Sequence, residues 1–179
     1  HGQAVPGRVS GRAEGVIDVF RMVPIVESVG LLQTSAALSP DEHLALRDWF
    51  ADLVQWMATS PIGREERAAE NNHGVYYDLL ISQFSLFAGL DDVTRAITER
   101  FGAQRIDPQI AADGTLPREL ARTRSLHYTT WTLTAAFDLA TLGQCVGVDV
   151  FSHVGPQGQS LRSATDAVAA YSGRTTQWP

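Results

Sequence analysis

Two short strings in this chain carry side chains able to move protons and neutralise charge. The first is Asn71-Asn72-His73, at the mouth of a nearly all-apolar segment that runs from Gly74 to Phe87. Carboxamides and an imidazole in such surroundings must find hydrogen-bond partners or cost about 1–3 kcal/mol each. A packing reading makes Asn71 or Asn72 a helix cap and His73 a satisfied core residue. A chemical reading makes the amide a donor to a ligand oxygen and the imidazole an acid or base, a task suited to its ordinary pKa of about 6.5. The second string is Glu119-Leu120-Ala121-Arg122-Thr123-Arg124-Ser125-Leu126-His127-Tyr128. Read as packing, it is an exposed charged turn leading into a helix. Read as chemistry, Arg122 and Arg124 clamp an anion one to two turns from a phenol and an imidazole, and a guanidinium fork matches a carboxylate.

Two other chemistries compete for the same residues. Glu70 and His73 have the Glu-x-x-His spacing of carboxylate-bridged metal sites on bundle helices, but such sites use a second pair. No carboxylate precedes His43, His127 or His153 at that spacing, so no metal centre is expected. Asp18, Glu27, Glu70 and Asp78 lie on or beside apolar segments, and paired carboxyls are what a glycoside hydrolase needs.

The elements that must position these groups read as helices. Residues 1–15 form a Gly- and Arg-rich lead-in, and an apolar helix over Val16–Val29 is kinked or split at Pro24. Ser39-Pro40-Asp41-Glu42 is a helix start with a capping box. Leu46, Trp49, Phe50, Leu53, Trp56 and Met57 follow at helical period, and Ser60-Pro61-Ile62-Gly63 reads as the end. The Asn72 helix is apolar on nearly every face and stops at Gly89, so it belongs inside the fold. Asp91-Asp92 opens a helix with Val93, Ile97 and Phe101. Another begins near Leu116-Pro117 and restarts at Ser125, with Gly143 at its end. A loop spans Gly147–Ser160, and a last helix carries Leu161, Ala164, Val168 and Tyr171. No stretch alternates with period two. The expected fold is all-α: one domain over residues 1–179, made of helical hairpins in two layers, with inner helices lining a cleft and the whole forming part of a toroid.

Composition narrows the partners. The 179 residues are 44% apolar, the net charge is −6, and all 14 basic residues are arginine. An acidic chain without basic tracts is a poor ligand for nucleic acid or an anionic membrane. No apolar run approaches the ~20 residues of a membrane span, and no signal peptide is visible. The chain opens at His1 without an initiator Met, which suggests a processed or cut terminus. Its single Cys145 leaves no internal disulfide.

Four strings occur in order: Gln3-Ala4-Val5-Pro6-Gly7, Ser60-Pro61-Ile62-Gly63, Glu70-Asn71-Asn72-His73-Gly74-Val75-Tyr76-Tyr77-Asp78, and Glu119 to Tyr128. Together they resemble the alginate-lyase family of polysaccharide lyases, which fold as an incomplete (α/α) toroid. The resemblance implies β-elimination at a uronic acid, with Asn72 and Arg122 holding the C5 carboxylate. His73 and Tyr128 would share the base and acid roles. Gln3, Tyr77, Arg124 and His127 would contact substrate. It implies no metal and no cofactor, an anionic polysaccharide as partner, and completion of the cleft by the remainder of the toroid. It also implies a secreted or periplasmic site of action, where polymeric uronates occur. A non-catalytic carbohydrate-binding or structural remnant of the same fold and a toroidal glycoside hydrolase are the rival expectations.

Overall fold

A computed structural model describes residues 2–32 and 34–179. The chain folds around one helix, α4 (Asn72–Ala88), buried on nearly every side. Ahead of it come a 3-10 segment (Ala13–Met22), α1 (Val23–Leu32), α2 (Pro40–Thr59) and α3 (Pro61–Arg67). After it come α5 (Asp91–Phe101), a π-helical turn (Gly102–Ile106), and the short α6 (Asp107–Gln109) and α7 (Pro117–Leu120). The long α8 (Ser125–Cys145) and α9 (Leu161–Ala169) complete the order. Among the described residues there is no strand beyond one isolated bridge between Val5 and Val9.

Local chemistry explains most boundaries. Ser39 accepts from the Glu42 N–H while Glu42 reaches back to Ser39, and Pro40 opens α2, which is the expected capping box. Gly89 ends α4 in the left-handed region at φ +78°. Two boundaries differ from expectation. Pro24 does split the first apolar run, but the half before it winds as a 3-10 helix, and α1 continues past Gly30 to Leu32. A proline ring crowds the carbonyl four residues back, and the tighter i→i+3 turn relieves that. Ser60-Pro61 ends α2 and also starts α3: the Ser60 hydroxyl accepts the Gly63 N–H at 3.0 Å, with Pro61 at the first helical position.

Helices α2, α5 and α8 and the N-terminal helical segments all pack on α4. One buried cluster runs from Val16 and Ile17 through Phe50, Met57, Leu80, Phe84, Phe101 and Leu139 to Leu161 and Ala164. Helices α4 and α8 run in the same direction. Asn72 bonds to Glu119, just ahead of α8, and Tyr76 meets Trp131. At the far end, Thr94 of α5 bonds to Ser82 while Gly143 of α8 lies against Thr98. This is the packing of inner helices in an all-α, incomplete (α/α) toroid built from helical hairpins.

Candidate active site

The α3–α4 junction sets the imidazole. Glu66, at the end of α3, is 2% exposed, and its Oε1 lies 2.6 Å from Nδ1 of His73. An ionised carboxylate only accepts hydrogen bonds, so this contact places the ring proton on Nδ1 and leaves Nε2 as the basic nitrogen. The His73 side chain is 18% exposed. Asn71 caps α4, its Oδ1 accepting the His73 N–H at 3.1 Å.

The turn between the two helices is fixed from behind by Arg105, on the π-helical turn. Its Nε donates to Asp78 at 2.7 Å, Nη1 to the Ala69 carbonyl and Nη2 to the Arg67 carbonyl, both at 2.8 Å. Burial pushes the Asp78 carboxyl up, and the bond to Arg105 and its charge oppose that. Gly74 admits this packing: a Cβ there would collide with Arg105 Nη1 and the Ala69 carbonyl.

Glu119, read from sequence as part of an exposed charged turn, is 1% exposed and sits on the N-terminus of α4. It accepts the Asn72 backbone N–H at 2.7 Å and Asn72 Nδ2 at 2.9 Å. A carboxylate is favourable at a helix N-terminus, where free N–H groups concentrate positive charge. Asn72 therefore departs from the expectation that it touches substrate. It is 0% exposed, its amide is given to Glu119, and its Oδ1 has no partner among the described residues.

Arg122 lies over the ring of Tyr128, its Cζ 3.8 Å from the centroid. The Tyr128 hydroxyl makes no hydrogen bond to a described residue. An aromatic wall continues from there. Trp131 stands 6.4 Å from Tyr128 and 4.2 Å from Tyr76, and Phe20 packs edge-on to both Tyr76 and Trp131. Trp131 is one turn beyond Tyr128 on α8, and Tyr76 is one turn beyond His73 on α4. With Tyr76 against Trp131 and the helices running in one direction, His73 and Tyr128 each lie one turn nearer the helix starts than that contact. The sequence reading missed four of these residues: Glu66, Glu119, Tyr76 and Trp131.

The remaining candidates lie elsewhere. Arg124 does not join Arg122 over the phenol; with His127, Thr130, Val168 and Tyr171 it lines a groove of about 810 Å³ between α8 and α9. His127 also stacks parallel to Trp131 at 6.2 Å, so it borders both the groove and the wall. The C-terminal segment closes one end of this region, where Trp178 Nε1 donates to the Ser125 hydroxyl at 3.0 Å. Gln3 is exposed, with its amide engaged by Arg12 and by the Glu14 carbonyl. Tyr77 is a correction. It is buried in the core with its hydroxyl donating to the Met57 carbonyl at 3.1 Å, and burial pushes its phenol up to about 12. Glu70 faces Arg118 and not His73.

A helical-hairpin toroid whose inner helices present an oriented imidazole and a guanidinium-covered phenol belongs with the carbohydrate-active (α/α) folds. The alginate lyase family matches residues 1–178, and the chain belongs to that family. A crystal structure of an alginate lyase from Bacteroides ovatus is similar at a TM-score of 0.95 and 33% identity, covering 99% of this chain and 48% of that one. The chain thus spans about half the length of that relative. No curated protein matches it.

Proposed function

We propose that this chain carries the acid–base centre of a polysaccharide lyase that cleaves a uronate-containing polysaccharide by β-elimination. Two observations support the reading: His73 is held at Nδ1 by the buried Glu66, and Tyr128 lies beneath Arg122, each one turn ahead of the Tyr76–Trp131 contact on helices that run in one direction. The base takes the C5 proton, the electron pair forms the C4–C5 double bond, and the C4–O4 bond breaks. Tyr128 protonates the departing O4 and His73 Nε2 is placed to take the C5 proton. On a sugar whose C5 proton faces the phenol, Tyr128 would start as the phenolate, take that proton and pass it to O4. Arg122 neutralises the uronate carboxylate, because a donor aimed at developing enolate charge is usually the largest catalytic contribution. Asn72 acts at one remove, holding Glu119 three residues ahead of Arg122. Trp131 and Tyr76 supply an apolar face for a sugar ring.

Hydrolysis by a carboxylate pair fits the geometry less well. Asp78 is bonded to Arg105, Glu70 to Arg118, and Glu27 to Gln83. Glu66 and Glu119 are spent on His73 and Asn72. The reading also implies action outside the cytoplasm, where polymeric uronates are met, and a single domain that forms part of a larger toroid. Incubating the full-length protein with alginate, glucuronan and hyaluronan tests it. A rise in ultraviolet absorbance from the new double bond is expected with one of them; new reducing ends without that rise would point to hydrolysis and end the proposal.

A further inference from the structure

On the side of α4 away from the aromatic wall, a second groove of about 330 Å³ lies between the end of α2, the end of α3 and α5. Its floor is Tyr77 and Ile81 with Val93 and Ile97, and Arg67 and Arg100 stand over it. Neither guanidinium makes a hydrogen bond or ion pair to a described residue, and Arg100 Nε is buried without a partner. The nearby Asp78 is hydrogen-bonded to Arg105 and attracts both guanidiniums without bonding either. Asp92, on the rim, is exposed and pairs with neither.

We propose that this groove is a second anion site, in which Arg67 and Arg100 take the carboxylate of a uronate and the apolar floor receives its sugar ring. Three observations converge on it. An unpartnered buried N–H asks for an acceptor, because leaving it unmade costs the full desolvation of that donor. Two arginines repel one another, and Asp78, already bonded to Arg105, offsets that only in part. Burial first, and then the Arg67 charge, push Arg100 below its ordinary range, so a bound anion would relieve the repulsion. A pocket with an apolar floor and a few convergent polar groups is the usual form of a small-molecule site. The volume suits one ring and not a long chain. Naming the anion as a uronate rests on the lyase reading; the presence of an anion site does not.

The test follows the Arg side-chain Nε–H resonances of the full chain during titration with sodium glucuronate, with a short uronate oligomer, and with inorganic phosphate, each at matched ionic strength. Saturable shifts of Arg100 and Arg67 are expected with both uronates. Arg67→Ala, at an exposed position, should weaken the response at least tenfold, and Arg100→Met should remove it. Tyr128→Phe should leave it unchanged, which separates this site from the elimination centre. Saturation by phosphate alone would overturn the uronate assignment. Shifts that follow ionic strength only, or persist unchanged in Arg67→Ala, would overturn the site. No arm reads turnover, so an inactive chain would not count for or against it.

Discussion

Tyr76 and Tyr77 are the same residue one step apart on α4, and the hundred degrees between them separates two environments. Tyr76 lies against Trp131 and Phe20, on the side that faces α8. Tyr77 faces the outer layer, where its hydroxyl is tied to Met57 and its neighbours are Arg67 and Arg100. The inner side is an aromatic wall with the Tyr128 phenol unengaged at its edge. The outer side consists of interlocked bonds: Arg105 links Asp78 to two carbonyls of the turn that precedes His73. The wall leaves a phenol available for chemistry, while the Arg105 bonds hold the turn ahead of His73 in place and leave Arg67 and Arg100 beside them unbonded.

That division can be broken from either side. The largest expected effect is on the inner side, where Tyr128→Phe should lower the elimination rate by about 10²–10⁴-fold. Substrate binding and the unfolding transition should stay as they are, and a mutant that keeps its full rate would remove Tyr128 from the mechanism. On the outer side, Arg105→Met strands a buried carboxylate and should cost about 3–5 kcal/mol in urea unfolding. The double change Arg105→Met with Asp78→Leu should recover much of that, as it deletes both charges.

Glu66→Gln should lower kcat by about one to two orders of magnitude, less than loss of an acid–base group itself. KM should hold, because Glu66 orients the imidazole and does not touch substrate; a change in KM alone would place it in binding. The smallest effect sharpens the comparison directly. Tyr77→Phe should cost about 1 kcal/mol of stability for its lost bond to Met57, whereas Tyr76→Phe, whose hydroxyl makes no bond to a described residue, should cost less. Equal losses in calorimetry would contradict the two-sided description.

The order of these effects matches what could be read from sequence. Ser39-Pro40-Asp41-Glu42 and Gly89 announced their helix ends because capping is local chemistry, complete within four or five residues. Asn72-His73 and Arg122-Tyr128 stood out as polar groups at apolar helices. The partners did not, because Glu119 meets Asn72 across 47 positions and Glu66 reaches His73 across a break between two helices. Tyr77 was assigned to substrate for a related reason. A helix apolar on every face has no polar stripe to set its phase, so sequence alone does not say which tyrosine turns inward. Ser60-Pro61 was read as a stop and is also a start, since the same pair serves both when one helix follows another without a loop.

Gly74 has a practical consequence for anyone wishing to retune which sugar is accepted. Substitutions at Thr123, Arg124 and Thr130 border open space and leave the Arg105 brace untouched. Position 74 should be left as it is. Even a single methyl there would shove the arginine brace aside, and the imidazole on the preceding residue would lose its footing.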